Sequence, residues 1–140
     1  MNQTFVSPQL FQQTLPLTTS WQKIGTQIDM RGYTTLGLYL NLTINNSQDV
    51  QIKIVGRTSS TDVVEYLLPV YAVTVANKIE YYPTYFELGS DIDQNLIIQA
   101  NTNNLIPFVD IYMQVGTLGA TAAVVNNAYV GLAWSSTDRG

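Results

Sequence analysis

Between positions 34 and 44 the chain reads Thr-Thr-Leu-Gly-Leu-Tyr-Leu-Asn-Leu-Thr-Ile, with Leu36, Leu38, Leu40, Leu42 and Ile44 at every second place. Successive side chains of an extended backbone point to opposite faces, so a period of two marks a half-buried β-strand. The same alternation returns at 51–55 and at 108–115. On the later segment Val109, Ile111, Met113 and Val115 are expected in the core, with Phe108, Asp110, Tyr112 and Gln114 on the other face.

Strands are expected at 20–28, 35–44, 50–58, 63–75, 78–82 with 85–88, 96–100, 108–115 and 124–134. Turn-forming runs separate them, among them Arg31-Gly32, Asn45-Asn46-Ser47 and Gly89-Ser90-Asp91. About eight strands without intervening helices predict an all-β, single-domain antiparallel β-sandwich of jelly-roll-like form. A chain of 140 residues buries about 68–70% of its unfolded surface in one such domain. Residues 1–16, with Pro8 and Pro16, read as a short N-terminal arm ahead of a sandwich domain at 17–140. A first strand at 4–6 on a sheet edge is the alternative. In the last strand Val130, Leu132 and Trp134 form one set, and Ala128 with Tyr129, Gly131 and Ala133 the other. Strands apolar on both faces are central or covered by a partner, which makes 124–134 a candidate intersubunit strand.

Charged residues make up 11% of the chain, against about 25% in an average soluble domain. Asn, Gln, Thr and Ser carry the polarity instead, a composition suited to extended contact with other protein. The outward set of the first ladder, Gly37, Tyr39, Asn41 and Thr43, has neither charge nor catalytic group. With a net charge of −4 and scattered Lys23, Arg31, Lys53, Arg57, Lys78 and Arg139, nucleic-acid binding is not expected. No stretch approaches the roughly 18 apolar residues of a membrane span, and Met1 to Phe5 lacks the features of a signal peptide. Synthesis in a cytoplasm is the expectation.

The chain has no histidine and no cysteine, which removes the Ser-His-Asp and Cys-His arrangements and the usual zinc ligands. No enzymatic activity and no cofactor are expected. Glu65, Glu80 and Glu87 would make a glycosidase only if two of them lay about 5–9 Å apart, and surface charge is the simpler reading. Asp91, Asp93 and Asn95 place oxygens at alternate positions as a calcium loop does, but Leu96 and Thr102 stand where the EF-hand needs Gly and Glu. An Asp- and Asn-rich turn accounts for them without metal. Tyr66, Tyr71, Tyr81, Tyr82 and Tyr85 suit ordinary strands, a protein interface, or, with Trp21, a platform for sugar rings. The interface candidates are Phe5, Leu10, Phe11, Tyr39, Tyr81, Tyr82, Tyr85, Tyr112, Tyr129 and Trp134.

The run from Ile28 through Arg31-Gly32 and the leucine ladder to Ser47, then Val50-Gln-Ile-Lys-Ile-Val-Gly-Arg57, and Asn103 to Val115, resembles small β-sandwich virion proteins of tailed bacteriophages. The likeness spans about 21–134. It implies an auxiliary or decoration protein, jelly-roll-like and trimeric, that cements the capsid surface by binding the major capsid protein and neighbouring copies of itself. It also implies a location in the virion. β-rich tail and baseplate proteins share this texture, so a tail component is the alternative, and a carbohydrate-binding module is another.

Overall fold

The computed structural model describes residues 3–43, 49–72, 79–88, 93–102, 105–116 and 123–135. They form twelve strands: β1 (Gln3–Gln12), β2 (Leu15–Pro16), β3 (Gln22–Asp29), β4 (Thr35–Thr43), β5 (Val50–Arg57), β6 (Tyr66–Leu67), β7 (Val70–Ala72), β8 (Ile79–Tyr81), β9 (Phe86–Leu88), β10 (Asp93–Asn101), β11 (Phe108–Val115) and β12 (Val124–Ser135). One sheet, here sheet A, runs β1-β12-β4-β10-β7, with β2 also on β12; sheet B runs β3-β11-β5-β9-β8, with β6 also on β5. Every pairing is antiparallel. From β3 to β5 and from β10 to β12 the chain changes sheet at every step. That alternation and the four-strand orders β1-β12-β4-β10 and β3-β11-β5-β9 define an eight-strand jelly roll, and β2, β6, β7 and β8 extend its edges.

The core follows the ladder. Leu36, Leu38, Leu40 and Leu42 of sheet A and Val109, Ile111, Met113 and Val115 of sheet B are all buried, together with Val50, Ile52, Ile54, Leu96 and Ile98. Close-packed aliphatic layers of this kind supply most of the folding free energy. Ile44 lies outside the described residues.

Residues 3–16, read above as an arm, run as β1 and β2 along the outer edge of β12. Pro8 causes no break because β1 is an edge strand. It falls in an irregularity between Val6 and Gln9, where a missing N–H costs no ladder bond. Phe11 and Gln12 tie this edge to sheet B: the Gln12 side chain accepts from Gly25 N–H at 2.9 Å, and the Phe11 ring lies against Gly25. Gly25 has φ +59°, and a Cβ there would stand 2.6 Å from Phe11 Cζ.

The expected strand at 63–75 divides. Leu68 N–H donates to Ile54 of sheet B, whereas Pro69 C=O accepts from Asn101 N–H of sheet A. The chain therefore changes sheet between Leu68 and Pro69, where proline has no N–H to continue a ladder. β12 is central, flanked by β1 and β4 of its own chain, so both of its edges are paired within the chain. A bulge between Val125 and Asn127 resets its alternation, and Ala128 is buried with Val130 while Tyr129 faces out.

Candidate functional site

Sheet A presents an outer face built in cross-strand rows. Register aligns Gln99, Gly37 and Gly131; then Ile97, Tyr39 and Tyr129; then Asn95, Asn41 and Asn127. Leu10 of β1 extends the tyrosine row beside Tyr129. The Tyr39 ring leans over Gly37, where a Cβ would lie 3.2 Å from it, and the β1 edge leans over Gly131, where a Cβ would lie 3.2 Å from Val6 O and 3.4 Å from Pro8. Two hollows result. One, of about 220 Å³, is bounded by Thr35, Gly37, Tyr39, Gln99 and Gly131; the other, of about 300 Å³, by Tyr39, Asn41, Asn95, Asn127 and Tyr129.

The amides beside the second hollow are locked together. The β12 bulge aims Asn126 outward, and its Nδ2 donates to Asn41 Oδ1 at 2.8 Å and to Thr43 Oγ1 at 2.9 Å. Asn41 Nδ2 in turn donates to Asn95 Oδ1. Asn126, Asn41 and Asn95 therefore form a hydrogen-bonded chain across three strands that ends at the exposed Asn95. The described side chains of this face carry no charge.

Sheet B differs sharply. Its outer face carries an ion-pair network centred on Asp110, which alternation places outward yet which is only 2% exposed. Arg57 Nε donates to Asp110 Oδ2. Lys23 Nζ lies 3.2 Å from Oδ1, within ion-pair range but without hydrogen-bond alignment. Burial pushes the Asp110 carboxyl up, but the hydrogen bond from Arg57 and the Lys23 ammonium outweigh it and hold it below the ordinary carboxylate range. The same carboxylate raises the Arg57 guanidinium further. Arg57 Nη2 donates to Tyr112 Oη at 2.8 Å and lies 3.4 Å from Glu65, which also pairs with Lys53 at 3.0 Å. Lys53 Nζ stands about 5 Å over both the Trp21 and Tyr112 rings.

Arg57 also braces the loop after β5. Its Nη1 donates to the carbonyls of Asp62 and Val64 at 3.3 Å, and the Asp62 carboxylate accepts from Thr58 and from Val64 N–H at 2.7–3.1 Å. Those donors hold the Asp62 carboxyl below its usual range. The loop so fixed exposes apolar side chains: Val63 is 86% exposed, and Val64, Tyr66 and Leu67 are about half exposed. Leu105, 77% exposed, belongs to the same end, since its neighbour Ile106 packs over Gly56, the register partner of Tyr66.

Among the interface candidates, Leu10, Tyr39 and Tyr129 come together on sheet A. Tyr81, Tyr82 and Tyr85 gather at the far edge of sheet B, where Tyr82 stacks on Tyr85 at 5.0 Å and Trp21 meets Tyr85 edge-on at 6.0 Å. Desolvation, with the negative charges of Glu80 and Glu87 nearby, raises the Tyr82 phenol. Tyr112 is committed to Arg57 and Lys53, and Phe11 packs on Gly25. The side chains of Phe5 and Trp134 lie outside the description; their backbones sit in β1 and β12. Asp93 and Asn95 belong to a regular strand paired with β4 rather than to a loop, the Asn95 oxygen accepts from Asn41, and Asp91 lies outside the described residues. Among the described residues no three acidic side chains are grouped to hold a metal ion. Val63, Val64 and Leu67 fell within the expected strand at 63–75, where apolar residues read as strand and core, and Leu105 has no periodicity to mark it.

No known family model matches this chain, and no curated protein does.

Proposed function

We propose that this chain is a non-catalytic building block of a tailed-phage virion, an auxiliary capsid protein that docks on the major capsid protein and on copies of itself. The observation that carries the proposal is the braced apolar end. Val63 and Val64 are held out to solvent by a buried arginine, with Tyr66, Leu67 and Leu105 beside them. Exposed apolar side chains grouped in this way mark contact surfaces, and a surface fixed before binding loses little entropy on docking. The jelly-roll order, the low charge and the resemblance to phage β-sandwich proteins support the same reading.

Docking of this kind adds small contacts over many copies, so each site needs only modest affinity. Light scattering on the purified chain tests the self-association half: a trimer of three 15.6 kDa subunits is expected, and the double variant V64D/L67D is expected to be a folded monomer. A native chain that stays monomeric at high concentration would overturn that half.

A further inference from the structure

We propose that the outer face of sheet A is a binding site for a neutral saccharide. The inference stands apart from the virion reading and uses none of the residues of the braced end.

Shape comes first. The two hollows on either side of Tyr39, about 220 and 300 Å³, approach the scale of small-ligand sites, about 300–1,000 Å³. The first is walled by the Tyr39 ring, which lies over Gly37, and borders Gly131, itself covered by Val6 and Pro8 of β1. A flat protein surface would span such hollows and leave them empty, whereas a linked pair of rings can occupy both.

Chemistry narrows the ligand. A pyranose offers an apolar C–H face and a rim of hydroxyls, each both donor and acceptor. Tyr39 between the hollows, and Tyr129 beside the second, supply flat apolar area with a hydroxyl handle. Gln99 and Asn95 supply amides, which donate and accept in one plane. The Asn126-Asn41-Asn95 chain restrains its members, so Asn95, exposed at its end, has less side-chain entropy to lose on binding. No Lys or Arg stands among the described residues of the face, so none of them would pair with an acidic sugar or a phosphate. The aromatic group at Trp21, Tyr82 and Tyr85 is the weaker platform, because its rings are turned onto one another and Lys53 covers Trp21.

The test is a nitrogen–proton correlation titration of the full chain with maltotriose, cellotriose, chitotriose and mannotriose at millimolar concentration, with a heparin-derived tetrasaccharide as the acidic counterpart. Saturable shifts of the Asn41, Asn95 and Asn126 side-chain amide signals are expected with at least one neutral sugar and not with the acidic one. Asn95→Leu, at an exposed position that leaves the core untouched, is expected to weaken that binding by about tenfold, the loss of one well-made hydrogen bond; Tyr39→Ala weakens it further. Silence from all four neutral sugars, equal binding of the acidic one, shifts confined to Trp21, Tyr82 and Tyr85, or unchanged affinity in folded Asn95→Leu would each overturn the proposal.

Discussion

Arg57 and Asp110, 53 residues apart in sequence, form a buried ion pair on the outer face of sheet B, with Arg57 Nε 2.5 Å from Asp110 Oδ2. The pair does two things. It neutralises a carboxylate that strand alternation would have left in water, and it anchors the guanidinium whose other nitrogens hold the loop carrying Val63 and Val64.

Removing one partner strands the other. Asp110→Leu is expected to destabilise the fold by about 1.5–3 kcal/mol, because the buried Arg57 Nε loses its acceptor and only Glu65 remains as an anionic partner. The double replacement Arg57→Met with Asp110→Leu should cost clearly less than the sum of the two single changes. Denaturant unfolding of the four proteins checks the coupling; additive losses would show that the pair does not act as a unit.

Acid should unfold the protein partly through this site. The folded Asp110 carboxyl is depressed below its unfolded value of about 3.9, so between the two values the unfolded chain binds more protons. Its contribution is complete above about pH 4 and is lost as pH falls through the folded value. Asp29, lowered to about 2 by hydrogen bonds from Arg31, titrates in the same direction, though at an exposed position where screening leaves it little weight. Melting temperature followed from pH 6 to pH 2 should fall less steeply in folded Asp110→Asn than in the parent chain.

Gly25 and Phe11 fit as a pair. Gly25→Ala puts a Cβ at positive φ and into the Phe11 ring, and about 1–2 kcal/mol is expected from the backbone alone, with more from the clash. Phe11→Ala in the same chain should relieve the second part and leave the first. A thermodynamic cycle on these variants separates the two, and a cycle with zero coupling would place the ring elsewhere.

Leu38 is fully buried in the middle of β4. Its truncation to alanine should cost about 2–5 kcal/mol by loss of transfer free energy and creation of a cavity, whereas Tyr39→Ala, one residue along and outward, should cost far less. Equal losses at the two positions would contradict the assignment of faces.

These particulars say what the sequence could disclose. The ladder from Leu36 to Leu42 and that from Val109 to Val115 were legible because a half-buried strand writes its burial directly into alternation. Asp110 was not: its neighbours placed it outward, and its burial depends on Arg57, which lies far away in the chain. The crossing between sheets at Leu68 and Pro69 was likewise hidden within one apolar run, since both halves look like strand. On sheet A, Tyr39 stood out as an outward aromatic, but periodicity left open which set of the last strand faces in, because a bulge brings Asn126 to Asn41 and bulges shift a period by one without a distinctive residue.

Co-sedimentation of the purified chain with heads lacking it, and separately with tails, of the phage proposed to encode it tests the docking claim most directly. Saturable binding to heads, abolished by V64D/L67D and retained in Asn95→Leu, is the expected result. Binding to tails alone, to neither particle, or to heads with V64D/L67D undiminished would contradict the account.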